Sequence, residues 1–207
     1  IAGNSGGWVK QADAFGGTRL VAWDAPGYGG SFCFTADSPG VEDYASAFIA
    51  FLDALGIETA MVLGHSLGGL VAGCAAALYP ERFSRLMLTA CSSGHATYEP
   101  EKRANLLATR LAAFSGGDAT AYARSRVANV LSDSPDPALF GEAVEIMARI
   151  KLPGFHQATH MISDGDLFRY LKDIKAPTRV ICGTNDRVTP LEMNRRIAAS
   201  IAGADCV

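Results

Sequence analysis

The chain has 207 residues, a formal charge of −3, and 49% hydrophobic against 19% charged residues. This suits a globular protein with a sizeable core and excludes a disordered chain. No basic patch points to nucleic acid as a partner, and no apolar run is long enough to span a bilayer. Residues 1–8 lack the basic start and apolar centre of a secretory leader. Five widely spaced cysteines, Cys33, Cys74, Cys91, Cys182 and Cys206, form no C-x-x-C pair and no Cys/His cluster. Reduced thiols in a cytoplasmic protein are therefore expected, with no disulfide, metal or cofactor.

In chain order, residues 1–7 read as a Gly/Asn/Ser loop and 18–23 as a strand turning at Asp24-Ala25-Pro26-Gly27. A helix is predicted over 42–55, where Tyr44, Phe48, Phe51, Leu52 and Leu55 recur at steps of three and four, and Gly56 ends it. Residues 59–63 read as a strand, 67–78 as a helix closed by Pro80, and 85–90 as a third strand. The stretch 95–175 shows no strand pattern and is too long for a plain loop. It reads as helices over 100–114, 119–131, 137–150 and 155–171, expected to form a cap over the mouth of a sheet. A fourth strand is expected at 178–182, a helix at 191–201 and the start of another strand at 205–207. Alternating strands and helices imply an α/β fold, a mostly parallel sheet flanked by helices. The expected organisation is a core over 1–94, a helical cap over 95–175 and the core resumed over 176–207.

The motif with most chemical content is Gly64-His65-Ser66-Leu67-Gly68, a G-x-S-x-G that leaves one predicted strand and opens a predicted helix. A serine on so tight a turn has its hydroxyl lifted above the strand ends. Small residues are expected at Gly64 and Gly68, where bulk would collide across the turn, and at Gly69 and Gly73, where the helix would approach the sheet. The N–H of Leu67, at the helix N-terminus, would face a developing oxyanion. The competing reading is an ordinary glycine turn before a helix. His65 adjoins the serine but points elsewhere on such a turn, so a structural or pocket-lining role is expected of it.

Together with Asp24-Ala25-Pro26-Gly27-Tyr28-Gly29-Gly30-Ser31, Pro80-Glu81-Arg82 and Gly183-Thr184-Asn185-Asp186-Arg187-Val188-Thr189-Pro190, this elbow resembles the α/β-hydrolase superfamily. It is most similar to the serine-nucleophile, capped branches: enol-lactonases, carbon–carbon bond hydrolases and small carboxylesterases. The resemblance implies a Ser-Asp-His triad with Ser66 as nucleophile and Asp186 as acid. It also implies an oxyanion hole from the N–H groups of Leu67 and, by its place after the family's His-Gly, Ile1. Asp24 precedes the nucleophile, against the family's order, and reads as a turn residue.

The family's histidine should follow Asp186, yet no histidine follows His160. None of His65, His95, His156 and His160 matches the base by motif. His156 and His160 share a helix face, but a pair lacks a third metal ligand. The chain thus reads as a fragment without its early strands, last strand and last helix, and with negligible activity alone. The expected function is hydrolysis of a small ester, lactone or activated carbonyl compound through an acyl-enzyme. The alternatives are a cofactor-free haloperoxidase-like or C–C bond hydrolase activity, and a non-catalytic binding protein. Substrate and oligomeric state are not legible.

Overall fold

The computed structural model describes residues 3–207, which contacts group into two units. One comprises residues 3–38 with Leu107–Thr159; the other comprises Pro39–Leu106 with His160–Val207. The predicted helical stretch 95–175 therefore divides between them.

The second unit is built on a parallel sheet in sequential order: β1 (Ala60–His65), β2 (Phe83–Thr89), β3 (Thr178–Ile181) and β4 (Asp205–Cys206). Helix α1 (Val41–Ala54) starts at Gly40, whose N–H donates to Asp43 Oδ2 at 2.7 Å, and buries Tyr44, Ile49 and Leu52. Helix α2 (Leu67–Leu78) packs on β1, β2 and α1. Nine of its twelve residues are buried, which is why its sequence is apolar all round rather than striped. Arg82 secures the lead into β2: it pairs with Asp53 at 2.7 Å and donates to the carbonyls of Ile57 and Glu58. Helix α7 (Leu191–Ala199) packs on β3 and β4 with Asn194, Ile197 and Ala198 buried.

The first unit opens with a 3-10 helix, Ser5–Phe15, where a loop was expected over 1–7. Asn4 caps it, accepting from Gly6 N–H at 3.0 Å and donating to Ile146 O at 2.8 Å. The predicted strand at 18–23 is not formed. A strand needs a partner for its backbone groups, and among the described residues the sheet runs only through β1 to β4. The helical insertion accordingly follows the second strand observed, β2, rather than a third. Helices α4 (Ala119–Val130) and α5 (Pro137–Met147) pack through Ala123, Val127 and Val144, each capped by an aspartate, Asp118 and Asp136. Phe114, Tyr122 and Phe155 form an aromatic triangle with centroids 5.2–5.5 Å apart. Helices α3 (Pro100–Ala112) and α6 (Leu152–Asp164) each cross the division between the units, and two 3-10 turns, Leu167–Arg169 and Leu171–Asp173, follow α6 in the second unit. Among the described residues no helix is long and apolar enough to cross a membrane.

Candidate active site

The ladder of β1, β2 and β3 continues one step past the strands' carboxyl ends. Ser66 N–H donates to Thr89 O at 3.0 Å and Ala90 N–H to Ile181 O at 2.8 Å. Ser66 and the loop carrying Asp186 thus emerge from the same sheet edge with β2 between them, a spacing of about 10 Å at ordinary strand separations. In parallel α/β sheets, ligand sites gather at this edge.

Ser66 has φ 52° and ψ −115°. It and Ala90, at φ 43°, are the only non-glycine residues with positive φ among those described. Such a conformation costs about 1–3 kcal/mol. A serine at an ordinary helix start would accept a hydrogen bond from the first turn, but Ser66 makes no such side-chain cap. This is the observation against the ordinary-turn reading: the backbone is strained and the hydroxyl is left out of the helix's own capping. The elbow is held instead through its carbonyl, which accepts from Gly69 N–H at 3.0 Å and Ser92 N–H at 3.1 Å. Leu67 occupies the first helical position, where an N–H has no intrahelical acceptor. Ile1, the expected second oxyanion donor, lies outside the described residues.

The tightness of the turn rests on Gly64. A Cβ there would stand 2.6 Å from Gly68 O, 2.8 Å from Ala72 Cβ and 2.9 Å from Gly69 Cα, none of which can swing away. The expectation for Gly68 is corrected: it is exposed, and a Cβ there meets nothing within 4 Å. Gly73 is likewise crowded by the Leu167 side chain rather than by the sheet, whereas Gly69 packs on Cys91 just past β2. Gly64→Ala is expected to destabilise by about 2–3 kcal/mol, lowering the thermal midpoint by roughly 5–10 °C. Gly68→Ala should stay within about 0.5 kcal/mol, and calorimetry of the two variants separates the positions.

Asp186 is half-buried, and both its carboxylate oxygens are engaged by its own loop. Oδ1 accepts from the N–H of Val188 (2.8 Å) and Thr189 (2.7 Å), and Oδ2 accepts from Thr189 Oγ at 2.9 Å. Helix α7 begins beyond it, after Pro190, so the aspartate orders the turn at 187–189 rather than capping the helix. Its charge reaches the elbow, since it counts among the influences on the His65 ring. Desolvation lowers the His65 pKa below the ordinary value, opposed by hydrogen bonding to Thr89 and by the Asp186 charge. The ring lies at 3.1 Å from Thr89 Oγ and keeps an exposed side.

The other histidines stand elsewhere. His95 stacks on Tyr98 at 4.9 Å, His156 is exposed beside Phe155, and His160 is half-buried on α6. Among the described residues no three His, Cys, Asp or Glu side chains gather as a metal site. Cys74 and Cys91 do not resemble nucleophiles: burial pushes Cys91 far up and Cys74 up to about 12. Asp24 lies in the other unit, where its carboxylate accepts from Ser5 N–H at 2.6 Å.

Sequence reading missed Thr189 and Asn194. Asn194 stands one helical step before Ile197, Ala198 and Ile201, so a polar residue on that buried face was a visible signal.

The model of the alpha/beta hydrolase fold family matches residues 1–207. A 2-hydroxy-6-oxononadienedioate/2-hydroxy-6-oxononatrienedioate hydrolase from Paraburkholderia phymatum is 28% identical, over 96% of this chain and 73% of that protein. A pimeloyl-[acyl-carrier protein] methyl ester esterase from Neisseria meningitidis is 29% identical, over 91% of this chain and 60% of that protein. Among solved structures, the enol-lactonase from Burkholderia xenovorans superposes with a TM-score of 0.88 at 23% identity, over 100% of this chain and 78% of the other, a likeness of fold. The sheet order, the strained elbow and the family match together place this chain in the alpha/beta hydrolase fold family.

Proposed function

We propose that the protein is a serine hydrolase acting on a small ester, lactone or activated carbonyl compound, with Ser66 as nucleophile and Asp186 as the acid of a Ser-Asp-His triad. The observation that carries this reading is the positive φ of Ser66 at the strand-to-helix junction, with its hydroxyl uncommitted to the helix. The base in this reading is a histidine from outside the 207 residues, and the 207 residues alone are expected to have negligible activity. That histidine takes the proton of Ser66 as Oγ bonds to the carbonyl carbon. The oxyanion rests on Leu67 N–H and a second backbone donor, the place assigned to Ile1. The leaving oxygen departs with the histidine's proton, and water, deprotonated by the same base, releases the acid and restores Ser66. Asp186 holds the base in one tautomer and balances its charge.

A second reading has support in several relatives that share one name. The compound named for the Paraburkholderia hydrolase is a keto diacid with no ester or amide bond, so its hydrolysis must break a carbon–carbon bond beside the ketone. The same nucleophile and acid would serve that reaction here.

The test is labelling of the full-length protein with a fluorophosphonate, followed by peptide mapping. A single adduct on Ser66 is expected. Labelling at another residue overturns the assignment of Ser66, and no labelling of a folded protein overturns the reading in favour of a non-catalytic binding protein. Turnover of p-nitrophenyl esters compared with a vinylogous keto acid then separates the two chemistries.

A further inference from the structure

Nothing in the triad scheme requires Asn194, yet it is wholly buried and every polar group of its side chain is used. Oδ1 accepts from Cys91 N–H at 2.8 Å, and Nδ2 donates to Thr189 O at 3.0 Å and Pro190 O at 3.3 Å. These partners belong to two different loops. Cys91 lies between strained Ala90 and Ser92, whose N–H donates to Ser66 O. Thr189 gives both its N–H and its hydroxyl to the Asp186 carboxylate. One continuous path therefore runs from the elbow carbonyl through Ser92 and Cys91, across the Asn194 amide, to Thr189 and Asp186.

We propose that Asn194 is a positioning residue that fixes the acid loop against the nucleophile elbow. This rests on the assignment of Ser66 and Asp186 above and adds what sets their separation. The chemistry of the amide suits the task. The link needs an acceptor facing one loop and two donors facing the other, on a short stem anchored in a helix. A carboxylate supplies no donors, a hydroxyl cannot span both loops, and an apolar side chain would leave Cys91 N–H without its acceptor. The site also excludes water, so the geometry cannot be repaired by solvent. The ladder between β2 and β3 stops one step past the strands, at the bond from Ala90 N–H to Ile181 O, and from Cys91 onward strand pairing no longer holds the two loops in register. Asn194 supplies that constraint from α7.

The experiment is a cycle in the full-length protein: wild type, Asn194→Ala, Asp186→Asn and the double variant, with kcat and KM for one ester normalised to folded protein. Misplacement of a catalytic group by about 1 Å costs on the order of 10²-fold. Asn194→Ala is therefore expected to lower kcat by about 10²-fold and leave KM within about twofold. In the Asp186→Asn background the same change should cost less than about threefold, because the acid it positions is already gone. An equal loss in both backgrounds, or an unchanged kcat per folded molecule with only a lower melting temperature, overturns the inference. If Asn194→Ala does not fold, Asn194→Asp takes its place: it keeps the shape and the acceptor for Cys91 and removes the donors to the acid loop. Ser66→Ala run in parallel keeps the two assignments apart. If that variant retains activity, the nucleophile assignment fails, whatever Asn194 does.

Discussion

Replacing Ser66 by alanine is expected to lower kcat of the full-length protein by about 10⁵- to 10⁶-fold, with no fluorophosphonate adduct and a thermal midpoint close to wild type. The size follows from the covalent step. Without Oγ no acyl-enzyme forms, and water must attack the carbonyl with only the oxyanion donors and binding to help. At 1.36 kcal/mol per decade, this is about 7–8 kcal/mol of transition-state stabilisation. Stability should barely move, because the lost hydroxyl caps no helix N–H. Alanine is also an L-residue with the same difficulty at φ 52°, so the strain is retained rather than relieved. Hydrolysis of a p-nitrophenyl ester and a calorimetric scan on the same preparation check both halves. Retention of more than about 1% of kcat would be incompatible with a nucleophilic Ser66, given the size expected of that step.

Asp186→Asn is expected to lower kcat by about 10⁴-fold, with KM changed little. The variant should fold. An asparagine oxygen can still accept from the N–H groups of Val188 and Thr189, and its amide can donate to the Thr189 hydroxyl, which is able to turn. What is lost is the negative charge and its acceptor geometry toward an imidazole N–H, so the base sits in the wrong tautomer and its protonated form is uncompensated. A loss below about tenfold would reduce Asp186 to an organiser of its turn, since the expected loss of a working acid is far larger. The two outcomes are separable because the carboxylate's contacts within the loop survive the substitution and its charge does not.

The elbow was legible because all its parts are neighbours in sequence. The apolar residues of β1, then Gly64, Ser66 and the small residues of α2 define strand, turn and helix within twenty residues. Helices over 42–55, 67–78 and 191–201 were predictable for the same reason, each having a local periodicity or a local stop signal, and were found at Val41–Ala54, Leu67–Leu78 and Leu191–Ala199. The strand expected at 18–23 failed where the others succeeded. Its apolar pattern is as good as that of 59–63, but a strand is completed only by a partner, and that is not a property of the segment itself. The requirement for glycine at 64 but not at 68 was equally hidden: both flank the serine, and only packing shows that one meets backbone and the other open space.

By itself the sequence determined the fold class, the family and the identity of the candidate nucleophile and acid, because these rest on motifs and periodicities a few residues long. The tertiary structure alone decided which glycine the turn depends on, that Asp186 is oriented by Thr189, and that Asn194 meets Cys91 across 103 residues of chain. The physical reason is the range of the interactions. Backbone propensity and capping act within one or two turns of chain, whereas a buried amide is satisfied by whichever loops the sheet and helix bring to it.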